Sequence, residues 1–445
     1  MARFAYWSSE GSTLAWARRL MDEGNEVLVF IKADRKNKVG QGIVPIATSN
    51  KQWVEWGFQD PRTIFLFDSS GNGDQADRLR KAGRFTIGGG KFMDRLEKER
   101  KWSASLAEKC GIQAPPTKSF GSITETLNYL NTNPTQEFGD GGWAWKPEKD
   151  IGCDATIVAK NAEDIIHHVE QLRRRHGDAL KCILQEKIDG VAVSTAQWWN
   201  GKSFVGPIEG TIENKKFMDK NLGAATGCSF DLVWFYRDVN TKIAQALKWN
   251  KVAEMFRQNE APPGLYDINS ILDSRTAWFL EWTPRLGIDS ELTSFRGISN
   301  LGQFLENLVM GKDVEKFFDT DQIYCDIHLS VPPYPNVVDL PDYTSPAEGV
   351  SIRGIDGLWD KMFVCAGIAF DTEIGIHCAD PCGTFGFCIS SGTSLKKTYN
   401  KMYDWIKENL KVPDLQYRTD AVETIQKDID DMIKHGWELT PVLRK

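Results

Sequence analysis

Two strand-like segments, 266–272 and 277–282, carry the oxygen-bearing side chains most suited to chemistry, and a polar turn joins them. Alternate residues of a strand face the same way, so Asp267 and Asn269 share one face and Glu281 on the adjoining strand can meet them. Carboxylate and amide oxygens are the hard ligands that Mg²⁺ binds in proteins. The hairpin therefore predicts a magnesium site.

A second candidate lies near the N-terminus, in the turn Ser8–Ser12 between a strand pattern and a helix pattern. Its residues, which include Gly11 and Ser12, are mostly small and polar. Backbone N–H groups in such a turn, together with the dipole of the following helix, can hold a phosphate group. Many turns of this kind bind nothing, so the turn by itself leaves both interpretations open.

The elements that must position these residues change character along the chain. Strand and helix patterns alternate over the first ninety residues, which predicts a parallel sheet with helices on its faces. A helical pattern then runs from Asp94 to a stop at Gly111. Beyond it, strand patterns surround one helix at 162–175, a mixed α+β arrangement. We expect an α/β and α+β multidomain protein.

Composition excludes several classes of function. With 41% hydrophobic and 26% charged residues the chain is typical of globular proteins, and its apolar runs are too short to span a membrane. The net charge of −7 argues against direct nucleic-acid binding. The N-terminus lacks the pattern of a secretory signal, so we expect a cytoplasmic protein. Nine cysteines without paired C-x-x-C spacing predict free thiols.

Three segments in the first third of the chain carry a recognisable set of motifs. They are Ile87–Thr117, Ala144–Pro147 and the loop Asp150–Ala155. The set resembles the ATP-grasp superfamily, in which two cationic residues face the nucleotide phosphates and a flexible loop covers them. The resemblance implies that Arg100, in place of a lysine, and Lys146 are these phosphate ligands.

The next motif, Leu184–Gly190, resembles the superfamily's hinge that grips adenine. It implies that Gln185 and Glu186 contact ATP, and the same resemblance adds Lys215 to the nucleotide ligands. The superfamily usually has a glutamate two residues after the hinge glycine to hold the ribose. Here Ala192 occupies that position.

The segment Asn214–Gly227 resembles one that is peculiar to the phosphoribosylamine–glycine ligase family within this superfamily. Thr226 and Gly227 match the loop on the acceptor side of that family, while Ala225 replaces its asparagine. The resemblance implies that Thr226 and Gly227 bind substrate. Loss of a side-chain amide from such a pocket can change the substrate that it accepts.

The strand that leads to Gly287 resembles the metal-binding strand of the same family. It implies that Glu281 and Thr283 ligate magnesium, with Thr283 in place of the usual asparagine. Arg285 would bind phosphate and substrate. Gly287 and Asp289 would complete the substrate site, together with the N-terminal turn that holds Gly11 and Ser12.

The resemblance also implies a domain order. A Rossmann-like pre-ATP-grasp domain would occupy residues 1–105, and an ATP-grasp domain 106–330, with a small lid at about 114–188. A small C-terminal α+β domain would occupy 331–445. Its motifs are Ser351–Leu358 and Gln416–Asp420.

The activity implied is the ATP-dependent joining of glycine to phosphoribosylamine through an acyl phosphate, a step of purine biosynthesis. Lys146 and Arg285 would be catalytic, and Mg²⁺, with Mn²⁺ as the alternative, would be the metal. The partners would be small-molecule substrates, and the protein would be a monomer or a weak homodimer. Two alternatives stay open: a ligase for another carboxylate and another amine, such as a modified nucleotide, or a nucleotide-binding homologue without turnover. The replacements at Ala192, Ala225 and Thr283 motivate both.

Overall fold

The computed structural model of the chain describes residues 1–33, 38–132, 142–148, 156–159, 161–336 and 344–444. The loop expected to cover the nucleotide, Asp150–Ala155, lies outside these residues. No helix in the described part of the chain combines the length and the apolar character needed to cross a membrane. The eight cysteines among the described residues are free thiols, as predicted.

A four-stranded parallel sheet begins the chain, with its strands in the order β2-β1-β3-β4. Alternate residues of β1 enter different cores, since Phe4 and Tyr6 pack into the main core and Trp7 packs with Trp53 and Phe67 on the opposite face. This arrangement confirms the predicted alternation of strands and helices. The elements are β1 (Arg3–Ser8), α1 (Leu14–Asp22), β2 (Glu26–Ile31), α2 (Asn50–Phe58), β3 (Ile64–Phe67), α3 (Gly73–Lys81) and β4 (Phe85–Ile87).

The helical pattern that follows forms two helices, α4 (Lys91–Lys98) and α5 (Arg100–Lys109), where the sequence predicted one. They are separated at Glu99, whose backbone lies outside the helical region at φ −100° and ψ 72°. Hydrophobic spacing continues through the break, which is why the sequence did not show it. The break places Arg100 in the first turn of α5.

The second sheet is antiparallel and has its own hydrophobic core, which includes Trp143, Trp145 and Leu184. Because this core is separate from the main one, the layer forms a unit of its own. Its strands lie in the order β5-β8-β6-β7. The elements are β5 (Thr117–Phe120), α6 (Ile123–Thr132), β6 (Trp143–Pro147), β7 (Ile157–Ala159), α7 (Ala162–His176) and β8 (Cys182–Glu186).

The largest sheet has eight antiparallel strands in the order β13-β12-β9-β10-β11-β14-β18-β15. The C-terminal strands β15 and β18 continue this sheet, and the short hairpin β16–β17 lies outside it. Its strands are β9 (Val191–Trp199), β10 (Phe204–Met218), β11 (Leu222–Phe235), β12 (Gly264–Leu272), β13 (Ala277–Thr283), β14 (Ile323–Ser330), β15 (Phe363–Cys365) and β18 (Thr384–Gly392). The remaining elements are α8 (Lys242–Ala246), α9 (Trp249–Gln258), α10 (Ser290–Ser294), α11 (Leu301–Val309), β16 (Ile368–Asp371), β17 (Gly375–Cys378), α12 (Leu395–Asn409) and α13 (Ala421–Lys434).

The predicted hairpin is present as β12 and β13, but it contains a β-bulge. Asn269 pairs with Glu281 while the next residue, Ser270, pairs with Phe279, so Leu280 is an extra residue on β13. The bulge turns Phe279 into the core, where its ring lies 5.8 Å from that of Trp282. Strict alternation would have placed Phe279 on the same face as Glu281.

Candidate nucleotide and acceptor sites

Three cations from three different elements converge on Glu281 of β13. Lys146 comes from β6 and Lys215 from β10, and both act electrostatically on the Glu281 carboxylate. Arg100, at the start of α5, places Nη1 3.8 Å from Oε2 of Glu281. Burial would raise the pKa of Glu281, but the surrounding cations outweigh it and hold this pKa below its ordinary value. The carboxylate is therefore charged.

A residue of the neighbouring strand β8 also holds the Lys146 side chain, because Nζ of Lys146 donates to Oε1 of Gln185 at 3.3 Å. Burial is the main cause that lowers the pKa of Lys146; Glu281 opposes this effect and the neighbouring cations add to it. Even with Lys215 paired to Glu213, Lys146 and Arg100 together exceed the single negative charge of Glu281. Such an excess suits a polyphosphate.

The hairpin places the predicted metal ligands side by side. Asp267 pairs with Thr283 across the strands, next to the pair of Asn269 and Glu281. Nδ2 of Asn269 donates to Oδ2 of Asp267 at 2.9 Å and to Oγ1 of Thr283 at 2.8 Å. Oδ1 of Asp267 is buried and accepts no hydrogen bond from the described residues. An unpartnered buried carboxylate oxygen beside a charged Glu281 fits a hard divalent cation.

Sequence reasoning missed Glu213, an acidic neighbour of this cluster. Burial is the main cause that raises the pKa of Asp267, and Glu213 and Glu291 raise it further. Glu213 also binds Lys215, with Oε2 3.2 Å from Nζ. The two residues stand two apart on β10, a same-face spacing that could have been recognised.

Arg285 follows directly after β13 and is held by a residue of α4. Its Nε donates to Oε1 of Glu97 at 2.8 Å. A Cβ atom at Gly287, two residues later, would lie 1.7 Å from Oε2 of Glu291, so any larger residue there would displace the Glu291 carboxylate. Arg285 and Gly287 thus lie at the end of the hairpin, beside the cleft that contains Glu281.

The hinge residues Gln185 and Glu186 lie on β8, the strand between β5 and β6 in the second sheet. Gln185 is buried, and its Nε2 donates to Oγ1 of Thr117 at 3.0 Å. Glu186 ends β8 with a half-buried side chain, and its backbone N–H donates to the carbonyl of Pro116 at 2.9 Å. The hinge strand is therefore fixed by β5 on one side and β6 on the other.

Ala192 is exposed on β9, where it pairs with Ile271. It lies on the same face as Ser194, whose Oγ donates to Oδ2 of Asp267 at 3.1 Å. The position therefore faces the cleft. A methyl group there offers no hydrogen bond to a ribose.

Four of the predicted substrate residues meet in one cavity of about 210 Å³. Ser12 from the N-terminal turn, Thr226 and Gly227 from β11, and Asp289 all line it. Ala225 lines it as well, so the replaced asparagine position faces this space. These residues are far apart in sequence, and their convergence is a result of the fold.

Gly11, the neighbour of Ser12 in the N-terminal turn, is not among the residues that line this cavity. It has a φ of +83°, and a Cβ atom at this position would come within 2.7 Å of Cγ1 of Val39. Its N–H donates to Oγ of Ser8 at 2.9 Å, which closes the turn. Arg285 and Gly287 do not belong to the cavity lining and lie on the cleft side.

The remaining cavity walls come from residues that the sequence did not single out. His328 of β14 is buried, its Nε2 lies 3.2 Å from Oγ1 of Thr384, and burial lowers its pKa to about 3. Asp380 accepts hydrogen bonds from the backbone N–H groups of Cys382 at 3.1 Å and Thr384 at 3.2 Å. Nothing in the sequence pattern links these C-terminal residues to Ser12.

A larger cavity of about 670 Å³ lies between the start of α5 and the edge of the second sheet. Arg100 and Trp102 line one side, and Leu180 and Lys181 the other. Lys146 and Glu281 are not among its walls. This cavity therefore lies beside the polar cluster, and the convergence of charges is what marks the cluster itself.

The sequence matches no protein-family model and no curated protein. Among solved structures, the chain is similar to a phosphoribosylamine–glycine ligase from Thermotoga maritima, with a TM-score of 0.71, 17% identity, and coverage of 94% of this chain and 100% of that one. It is similar to a biotin carboxylase from Campylobacter jejuni, with a TM-score of 0.62, 12% identity, and coverage of 100% and 99%. It is also similar to an N5-carboxyaminoimidazole ribonucleotide synthetase from Thermus thermophilus, with a TM-score of 0.56, 11% identity, and coverage of 92% and 99%. These likenesses confirm the predicted fold class, a multidomain arrangement of α/β and α+β parts.

Proposed function

We propose that this chain is an ATP-dependent carboxylate–amine ligase. The observation that carries the proposal is the convergence of Lys146, Lys215 and Arg100 on the charged Glu281. Asp267 stands beside this cluster with one buried oxygen that accepts no hydrogen bond from the described residues. Cations and hard oxygen ligands in one cleft are what a magnesium-bound polyphosphate requires.

The ligands of two similar structures support this proposal. The Campylobacter jejuni biotin carboxylase was solved as a β,γ-ATP complex. A biotin carboxylase domain from Hydrogenobacter thermophilus, with a TM-score of 0.60 and 10% identity to this chain, was solved with MgADP and bicarbonate. We infer the same class of ligand here, with the domains at 1–105, 106–330 and 331–445 and the lid at about 114–188.

The proposed reaction has two steps. A carboxylate oxygen attacks the γ-phosphorus of ATP, which gives an acyl phosphate and ADP. The amine nitrogen then attacks the carbonyl carbon, the bond to the phosphate oxygen breaks with its electron pair, and the nitrogen loses a proton. Lys146 and Arg285 would stabilise the charge that moves to the phosphoryl oxygens.

The metal fits the oxygen atoms of the hairpin. Glu281, Thr283, Asp267 and Asn269 would hold Mg²⁺, or Mn²⁺, and the ion would neutralise phosphate charge during transfer. Arg100 would stabilise phosphate from the start of α5. Gln185, Glu186 and Lys215 would complete the nucleotide site.

The finer proposal is that the acid is glycine and the amine is phosphoribosylamine. It is supported by the similarity to the Thermotoga maritima ligase and by the meeting of Ser12, Thr226, Gly227 and Asp289 in one cavity. The test is detection of glycinamide ribonucleotide by mass spectrometry, with ATP turnover that requires both substrates. ADP release with another acid and amine pair, and none with glycine, would reject the finer proposal and leave the ligase proposal standing.

The cavity also favours a second candidate, a ligase with a different amine. Ala225 removes a side-chain amide from the cavity wall, where the family has asparagine. If phosphoribosylamine is the substrate, Ala225→Asn should improve turnover with it. If the amine has changed, the same substitution should impair turnover, because polar groups in the pocket would be left unpaired.

A further inference from the structure

The cavity of about 210 Å³ that is lined by Ser12, Thr226 and Asp289 is called the acceptor cavity here, and its lining is acidic. Three carboxyl groups line it, those of Glu10, Asp289 and Asp380. Within the described part of the chain, neither lysine nor arginine is among the lining residues. His328 is the basic side chain in the wall, and burial keeps it neutral by lowering its pKa to about 3.

More carboxyl groups lie directly behind the cavity wall. The Sγ atom of Cys228 and one carboxylate oxygen each of Asp231 and Asp289 lie within 4.8 Å of one another. Asp231 and Asp326 are fully buried, and the backbone N–H of Asp231 donates to Oδ1 of Asp326 at 3.1 Å. Burial raises the pKa of both carboxyl groups well above their ordinary values; the charge of Asp326 raises that of Asp231 further, and the charge of Asp289 raises that of Asp326.

The two cations that act electrostatically on Asp289 are each paired with another carboxylate. Lys215 and Arg285 act on Asp289, but Lys215 is paired with Glu213 at 3.2 Å and Arg285 with Glu97 at 2.8 Å. Burial and the charge of Glu213 raise the pKa of Asp289 to about 6. A group that brings positive charge into the cavity would relieve this repulsion, and a phosphate would increase it.

We propose that the acceptor cavity binds a small primary amine without a phosphate group, which enters as an ammonium ion and is held by Asp289 and Glu10. This inference rests on the proposed ligase function and deepens its second candidate, the ligase whose amine is not phosphoribosylamine. The volume agrees with a small molecule, since 210 Å³ is below the roughly 300–1,000 Å³ of pockets for drug-sized ligands.

Asp289 joins the cavity to the cleft. It lines the cavity, it is an electrostatic neighbour of Lys215 and Arg285, and its Oδ2 would lie 3.8 Å from a Cβ atom at Gly227. An amine held there faces the side on which the acyl phosphate would form. The bound ammonium ion first gives a proton to the Asp289 carboxylate, because an ammonium nitrogen has no free electron pair. The neutral nitrogen then attacks the carbonyl carbon, the bond to the phosphate oxygen breaks with its electron pair, and the departing phosphate takes the second proton that the nitrogen loses.

The test compares two probes by isothermal titration calorimetry on the full chain: 1,4-diaminobutane as the amine and ribose 5-phosphate as the phosphorylated ligand. We expect the diamine to bind and ribose 5-phosphate to bind more weakly. Asp289→Asn should weaken diamine binding by about tenfold or more, because it removes one charge of a desolvated pair. Glu55→Gln, the same loss of charge at an exposed residue of α2, should leave binding unchanged.

Three results would overturn the inference. The first is absence of diamine binding by a folded protein, and the second is tighter binding of ribose 5-phosphate, strengthened further in Asp289→Asn. The third is a stoichiometric divalent metal in the purified protein that Cys228→Ser removes, since the acidic groups would then serve that ion. A separate titration with Mg-ATP tests the ligase proposal: loss of Mg-ATP binding with intact diamine binding would reject the ligase and not the cavity's preference for amines.

Discussion

Arg418 donates a hydrogen bond from Nη1 to the backbone carbonyl of Lys216 at 2.8 Å, which ties the C-terminal region to the hairpin of β10 and β11. The same Nη1 donates to Oδ1 of Asn221 at 2.9 Å. Oγ1 of Thr419 donates to Oδ2 of Asp219 at 2.6 Å. Two motifs that the sequence singled out separately are therefore one structure, in which the C-terminal segment fixes the turn before the cavity residue Thr226.

Arg418→Lys should impair the acceptor side and spare the nucleotide side. The planar guanidinium also binds both oxygens of Asp420, at 2.9 and 2.8 Å, and a lysine cannot reproduce that fork. We expect KM for the amine to rise by about tenfold while KM for ATP stays unchanged. Steady-state kinetics would show this, with Arg237→Lys at an exposed ion pair as the control. An equal rise in both KM values would show a general loss of structure instead.

Lys146→Ala should abolish ADP formation in a protein that stays folded. A cation that faces transferring charge contributes typically about 10²–10³-fold to kcat, and Lys146 contributes little packing because it is only half-buried. An ADP-release assay and a thermal melt measure the two effects separately. Lys202→Ala, at an exposed lysine, should retain activity. Full activity of Lys146→Ala would remove this lysine from the site.

Periodicity in the sequence was sufficient to predict the hairpin and the facing of Asp267, Asn269 and Glu281. It did not reveal the bulge at Leu280, because a single extra residue leaves the apolar composition of the strand unchanged. The break at Glu99 was missed for a similar reason. The local pattern of apolar residues indicates which side chains are buried, whereas the bulge at Leu280 and the break at Glu99 depend on tertiary packing.

The cavity shows a different limit. Ser12, Thr226 and Asp289 were predicted through motif resemblance, and the structure brings them together. The excess of acidic groups was not predictable, because no sequence motif links Glu10, in the N-terminal turn, to Asp380. The proximity of Glu10 and Asp380 depends on how distant segments of the chain pack, and sequence spacing does not predict contacts between residues so far apart.

Glu281→Gln should remove the magnesium dependence of nucleotide binding. A ligand that binds only the folded state stabilises it by about 2.7 kcal/mol at a concentration of about 100 Kd, so Mg-ATP should raise the Tm of the wild-type chain. In the variant, ATP should give the same small shift with and without Mg²⁺. Glu254→Gln, at an exposed ion pair on α9, should behave as wild type. A wild-type Tm that does not move in millimolar Mg-ATP would count against the nucleotide site.

Glu291→Gln should change how stability depends on pH. Glu291 is 4% exposed, and burial together with the charge of Asp289 raises its pKa from 4.5 to about 7. Because the folded value is the higher one, the protonated group favours folding below pH 4.5, and this contribution is lost as pH rises through 7. A glutamine stays neutral, and it retains an oxygen to accept the hydrogen bond from Oγ of Ser290.

The variant should therefore match wild type near pH 4.5 and exceed it at about pH 8. The shift from 4.5 to about 7 corresponds to a gain on the order of 3 kcal/mol at the higher pH. Thermal melts at the two pH values measure the effect, and Glu55→Gln provides the same change of charge at an exposed position. A smaller decline should persist between about pH 4 and 6, because the pKa of Asp289 is itself raised to about 6. If wild type and Glu291→Gln lose the same stability between the two pH values, Glu291 is not the group that titrates.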